Sequence, residues 1–220
     1  MLQDSHCVLV SRDKAPRYLK KDYVLGSYLV GGTRSEAAKR TLFSCTNETF
    51  NAWTTILSLV FVNVQFLQSR WGTLRWDAPA SNWFEAFDLF YLSGTLHAPF
   101  SLCCSLWVGI SLKERDFWRQ LDVFFIFTAS GHTFPMLAAC VAELQRGTMG
   151  RSTALFFGVV LCLGLSALVC TKNVPEKWKP GSMFDIFHSH ALMHVLVYLE
   201  YYFEWLFICH HRTLAAIGDR

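Results

Sequence analysis

The chain is predicted to be all-α, a polytopic transmembrane helix bundle of about five spans with a cytosolic N-terminus, and three observations carry that expectation. Of its 220 residues 52% are hydrophobic and only 17% charged, with 19 Phe and 8 Trp, a usage far from that of soluble domains. The apolar residues are gathered into runs of roughly spanning length at Phe50 to Leu67, Phe84 to Leu112, Trp118 to Ala142, Thr153 to Cys170 and Phe184 to Ile208. Lys and Arg are shared unequally between the loops. Backbone groups in lipid must be satisfied within their own segment, so each run reads as helix rather than strand.

Residues 1–49 form a polar, basic N-terminal segment without the apolar region of a signal peptide, and are expected to stay on the side of synthesis. Within it, Ser35 to Phe43 reads as a short amphipathic helix. Ala38, Leu42 and Phe43 oppose Arg34, Lys39 and Arg40, a pattern suited to the inner leaflet and its anionic lipid. Asn47-Glu48-Thr49 is formally a glycosylation sequon, but it abuts the first span on the cytosolic side and reads instead as a structural motif.

The first span is interrupted by Asn63 and Gln65, and the fourth is short; together the spans make a transmembrane domain over 50–209, followed by a short tail at 210–220. No repeat or long linker divides the chain further. The N-terminal cations (Arg12, Lys14, Arg17, Lys20, Lys21, Arg34, Lys39, Arg40) fall on one side with Lys113, Arg115, Arg119, Lys172, Lys177 and Lys179. Arg70, Arg75, Arg146, Arg151, Arg212 and Arg220 fall on the other, a bias of about two to one for N-terminus in and C-terminus out. The cysteines lie mostly within spans (Cys103, Cys104, Cys140, Cys162, Cys170), lack zinc-ribbon spacing and are expected to be free, packed thiols.

The last span carries His190 and His194 at i and i+4, so both imidazoles project from one helical face and could share a Zn²⁺. Ionisable groups inside a span are costly enough to mark function. Glu200 and Glu204, also four apart and further along that span, need water, a cation or a partner helix, and a neighbouring subunit of an oligomer could cover them. His188 lies two residues from His190 and, on a helix begun at Phe184, would face away toward the interface.

Three stretches together resemble the progestin and adipoQ receptor (PAQR) family. They are Leu25 to Tyr28 leading into Ser44-Cys45-Thr46-Asn47-Glu48-Thr49-Phe50-Asn51-Ala52-Trp53-Thr54; then Leu121-Asp122; then Pro175 to Gly181 leading into Ser189-His190-Ala191-Leu192-Met193-His194. The Thr-Asn-Glu-Thr wording and the spacing from Tyr28 are similar to the membrane progestin receptor branch. The resemblance implies a membrane receptor with a cytosolic N-terminus and a zinc held near the inner leaflet by three histidines, a site that in some relatives resembles a lipid-amide hydrolase.

The chain departs from that pattern in two ways. The interval from Asp122 to His190 has room for one intervening helix where the family has three, so two spans are missing. The third histidine, expected some seventeen residues before the aspartate, is replaced at Ser105, in the stretch from Pro99 to Leu106. Ser93 to His97 satisfies the family's Ser-x-x-x-His spacing, but counting helical rise from the expected span ends leaves His97 about 12 Å too deep, near His132, whereas Asp122, Ser105 and His190 come out level.

The metal candidates are therefore His190, His194 and His97, with Asp122 as the candidate catalytic group; Asp122 could instead serve as a third ligand or be a helix-start charge at the interface. Two functional classes follow. One is a multi-pass, receptor-like signalling protein that binds a steroid or other lipid-like ligand and engages a cytosolic partner through its N-terminal segment, with a degenerate zinc site. The other is a zinc-dependent, ceramidase-like lipid-amide hydrolase. Membrane lipids are expected partners and nucleic acid is not.

Overall fold

The N-terminal segment is more ordered than its polarity suggests. In the computed structural model, which describes residues 6–71, 83–129 and 133–218, Val8–Val10 (β1) and Tyr28–Val30 (β2) pair antiparallel with Val8 opposite Val30. An all-α reading missed this small sheet because three-residue strands are too short to show a period of two. So short a pair needs outside support. Leu29 and Cys7 supply it by packing with Ala37, Trp107 and Ile110, while Tyr28, Val24, Leu19 and Ala15 form a second cluster.

Helix α1 (Arg34–Phe43) follows, begun by Thr33, whose hydroxyl accepts from the Glu36 amide. Its buried residues, Ala37 and Thr41, face the protein, while Phe43 is exposed and meets the edge of Trp53. The bundle helices are α2 (Thr49–Trp71), α3 (Trp83–Trp107), α4 (Leu112–Ala129), α5 (Thr133–Gln145), α6 (Arg151–Lys172) and α7 (Ser189–Gly218). Three described segments, Thr49–Gln68, Arg151–Lys172 and Ser189–His211, are long and apolar enough to cross a membrane.

Two helix boundaries depart from the apolar runs, with consequences for the site. The second run ends at Trp107 rather than Leu112, and the next helix starts at Leu112 rather than Trp118. The Ser111 hydroxyl accepts from the Glu114 amide and starts α4 through a charged turn that protrudes beyond the apolar stretch. The third run is divided between α4 and α5, and the last helix begins at Ser189 rather than Phe184. Helix α7 also continues to Gly218, so most of the expected C-terminal tail is helical. His132 and Arg75 lie outside the described residues.

The α3–α4 turn is fastened to the N-terminal segment. The Gly31 amide donates to the Gly109 carbonyl at 3.0 Å, Trp107 Nε1 donates to the Arg34 carbonyl at 3.1 Å, and the Arg34 guanidinium meets Glu114 at 2.6 Å while lying over the Trp107 ring. At Gly109 the two backbones come so close that a Cβ would stand 1.9 Å from the Leu29 carbonyl oxygen. Gly109→Ala is expected to destabilise by about 2 kcal/mol, measured by unfolding in detergent, because neither backbone can give way without breaking the hairpin contact.

At the opposite end, the Glu143 carboxylate accepts from the Ser152 and Thr153 amides and the Thr153 hydroxyl, capping the first turn of α6. Ser152 Oγ lies 2.9 Å from His211 Nε2 and ties that end to α7. Between the ends, Val62, Phe90, Met136, Val159, Tyr201 and Phe207 form the main apolar core. The ends of α3 and α6 and the starts of α2, α4 and α7 therefore gather under the N-terminal segment, where most of the chain's cations also lie.

Candidate functional site

A cavity of about 630 Å³ opens between α3, α4, α6 and α7, with Lys21, Tyr28, Asn47 and Glu48 of the N-terminal region bordering it. His97 of α3, Asp122 of α4, and His190 and His194 of α7 all line it, as do Ser101, Cys104 and Ser105. Residues widely separated in sequence thus meet at one space. Met193, Val197, Leu163 and Tyr201 supply apolar and aromatic wall.

His97 is not at the depth that helical counting gave. Its Nε2 lies 3.1 Å from Asp122 Oδ1, and the Tyr201 hydroxyl stands 3.5 Å from its Nδ1, a long contact. The cause is the position of the turn: His97 lies ten residues before the end of α3 and Asp122 ten residues after the start of α4, so antiparallel helices bring them level. Both are about 15 Å from the turn. Asp122 is accordingly a mid-helix carboxylate bonded to an imidazole, and not a helix-start charge at the interface.

The His190 and His194 rings are 4.9 Å apart, centroid to centroid, and nearly perpendicular. A zinc needs nitrogen or oxygen donors at about 2 Å converging on one point. Among the described residues no group of three or more His, Cys, Asp or Glu side chains is so arranged. His97 is turned to Asp122 instead of toward the α7 pair. As placed among the described residues, these side chains do not fit a three-ligand zinc site.

The cavity is bordered by a polar latch. Lys21 Nζ lies 2.6 Å from Glu48 Oε1, and Asn51 Nδ2 donates to Glu48 Oε2 at 2.6 Å. Burial pulls the Glu48 carboxyl upward, but the Lys21 charge and its hydrogen bond, together with the neighbouring His188 and His190 rings, outweigh it and hold the group at about 2. His188 is buried, not interfacial; α7 begins after it, so helical periodicity does not fix its direction. Its Nε2 stands 2.8 Å from the Asn47 carbonyl, which can only accept, so that nitrogen carries the proton. The Lys21 ammonium 3.3 Å from the same nitrogen is then an electrostatic neighbour, and burial and this charge together push the ring down to about 3.

Thr49 completes the motif by capping the turn before α2: its hydroxyl accepts from the Thr46 amide at 2.9 Å and donates to the Ser44 carbonyl. The sequon residues are thereby absorbed into hydrogen bonding. Glu200 lines the cavity and Glu204 is buried one turn further on. Sequence reasoning gave neither Lys21 nor Glu176 a place at the site. Lys21 is one cation among many in a basic segment, and only the hairpin reveals its direction. Glu176, buried, accepts from the Ser189 amide at 2.6 Å and from the Ser189 hydroxyl, fixing the start of α7 beside His190.

No family model matches the chain. Over 76 residues, 34% of its length, the chain is 40% identical to the heptahelical transmembrane protein ADIPOR3 of Oryza sativa subsp. japonica, and the match covers 18% of that protein. This similarity supports a distant relationship to the PAQR family of membrane proteins and leaves its branches undistinguished. With three apolar helices of crossing length, it supports an integral membrane protein.

Proposed function

We propose that this is a multi-pass, PAQR-type membrane receptor with a cytosolic N-terminus, whose cavity takes a steroid or other lipid-like ligand. The observation that carries the reading is the cavity of about 630 Å³, within the range of ligand sites, with apolar wall and a compact set of polar groups. His97, Asp122, His190 and His194 would orient the ligand's polar end, and Met193, Val197 and Tyr201 would hold its apolar body. Signalling would pass through the N-terminal segment, which borders the cavity and offers basic surface to a cytosolic partner.

The test is binding of a fluorescent sterol and a fluorescent fatty-acyl amide to the detergent-purified full chain. Ser105→Phe, which puts a ring into the cavity, is expected to weaken binding of whichever probe the wild type takes by at least about ten-fold, with unfolding shifted by about 1–2 kcal/mol. Failure of the wild type to bind either probe would reject the lipid-receptor reading.

A second reading, a zinc-dependent lipid-amide hydrolase, draws on the gathering of three histidines and Asp122 around one cavity. Elemental analysis beside a folded His190→Ala/His194→Ala variant decides it. The expected result is less than one zinc per wild-type chain, in keeping with two imidazoles that lack a converging third ligand. One zinc per chain, lost in the variant, would favour the hydrolase reading, and release of fatty acid from a ceramide would follow.

A further inference from the structure

The segment joining α6 to α7 separates its charges by direction. Between Thr171 and His188 the acids are Glu176 and Asp185, and the cations besides histidine are Lys172, Lys177 and Lys179. Both acids point inward. Glu176 is 2% exposed and accepts from the Ser189 amide and hydroxyl; Asp185 is 7% exposed and accepts from the Leu25 amide at 3.0 Å and the Gly181 amide at 3.2 Å. All three lysines are exposed. The outward face is left with positive charge alone, because the compensating carboxylates are consumed in holding α7 and the hairpin.

The same segment also exposes large apolar groups. Trp178 is 74% exposed and Met183 70%, and Trp178 stands between Lys177 and Lys179. A tryptophan ring with an N–H and long lysine stems is suited to the boundary between acyl chains and headgroups, where the ring is half desolvated and the ammonium groups reach outward. The position agrees: the segment starts at the end of α6 and leads into α7, both long and apolar enough to cross a membrane.

We propose that this segment is a docking surface for anionic lipid headgroups in the leaflet on the N-terminal side, with Trp178 and Met183 seated among the acyl carbons and Lys177 and Lys179 pairing with the headgroups. The occupant is a lipid surface rather than a protein because the lysines follow the end of a crossing helix, at headgroup depth, and their charge is complementary to an anionic leaflet. The surface works independently of what enters the cavity. Each lysine contributes roughly five-fold to the preference for an anionic over a zwitterionic lipid.

The experiment reconstitutes the full chain in bilayer nanodiscs containing phosphatidylcholine or phosphatidylserine brominated near the headgroup. The Trp178 share of the fluorescence is isolated by comparison with Trp178→Phe. Brominated phosphatidylserine is expected to quench that share at a several-fold lower mole fraction than brominated phosphatidylcholine, and Lys177→Gln/Lys179→Gln is expected to remove the difference. Unchanged unfolding of the double variant in phosphatidylcholine would show that its fold is intact; should it fail to fold, the salt dependence of quenching in the wild type replaces it, with the preference expected to vanish at high salt. Equal quenching by the two lipids in the wild type, no quenching by either, or a preference that survives both neutralisation and salt would overturn the proposal.

Discussion

Glu48→Gln is expected to destabilise the protein by about 3 kcal/mol, with the loss read from thermal or denaturant unfolding in detergent. The substitution keeps the shape of the side chain and an acceptor for Asn51, but removes the negative charge 2.6 Å from the Lys21 ammonium. Glu48 is buried and Lys21 is half-buried beside Glu48 and the His188 ring, so water only partly replaces the lost partner. Breaking one side of such a pair costs more than an exposed ion pair contributes. Lys21→Met should cost at least as much, since it leaves a buried carboxylate, and the double variant should be less damaged than the sum of the two. A loss below about 0.5 kcal/mol for Glu48→Gln would mean that the latch is peripheral to stability.

The same pair gives a sign for pH. The Glu48 carboxyl is held at about 2 in the folded protein against an ordinary 4.5, so its contribution is fully present above about 4.5 and is lost as pH falls from there toward 2. Glu48→Gln should therefore flatten the acid limb of the stability profile and leave the neutral limb parallel to wild type. Because Lys21 and Glu48 both border the cavity, acid loosening of the latch should also speed exchange of any cavity-bound probe.

Hydropathy sufficed where a helix is apolar along its whole length. The run Thr153 to Cys170 became α6 with two extra residues at each end, and Phe50 to Leu67 lies within α2. It failed where a helix starts in charged residues. The Lys113-Glu114-Arg115-Asp116 stretch belongs to α4, yet its polarity reads as loop. That displaced the α3–α4 turn by about one and a half helical turns, which accounts for the apparent depth gap between His97 and Asp122.

The α7 histidines were legible because i, i+4 spacing fixes relative direction whatever the tertiary structure. His188 was not, because periodicity applies only within a helix and the helix starts one residue later. Long-range partners were equally hidden. Nothing in the spacing of Lys21, Glu48 and His188 shows that a three-residue strand pair would bring the first to the other two. In each of these cases the missing information was a helix or strand boundary, and the starts of α4 and α7 are set by side chains bonding to backbone, Ser111 to the Glu114 amide and Glu176 to the Ser189 amide.

Glu176→Ala puts that dependence to a direct test and is expected to cost about 3 kcal/mol while also weakening binding at the cavity. The carboxylate accepts from the Ser189 amide and hydroxyl, two charge-assisted bonds at the positive end of a helix that runs to Gly218. Alanine would leave both donors buried without that acceptor, and water reaches the site poorly because Glu176 and Ser189 are both buried. The first turn of α7 would unwind or shift to find another partner, and His190 is the next residue. Lys177→Gln, one position along and exposed, is the control: it should leave unfolding within about 0.5 kcal/mol and cavity binding unchanged. Glu176→Gln, which retains an acceptor for the amide, should fall between the two. If Glu176→Ala lowers stability but leaves probe binding as in wild type, the start of α7 does not position His190. Loss of binding in proportion to the loss of helix capping would mean that a loop carboxylate outside the cavity sets the geometry of the histidines inside it.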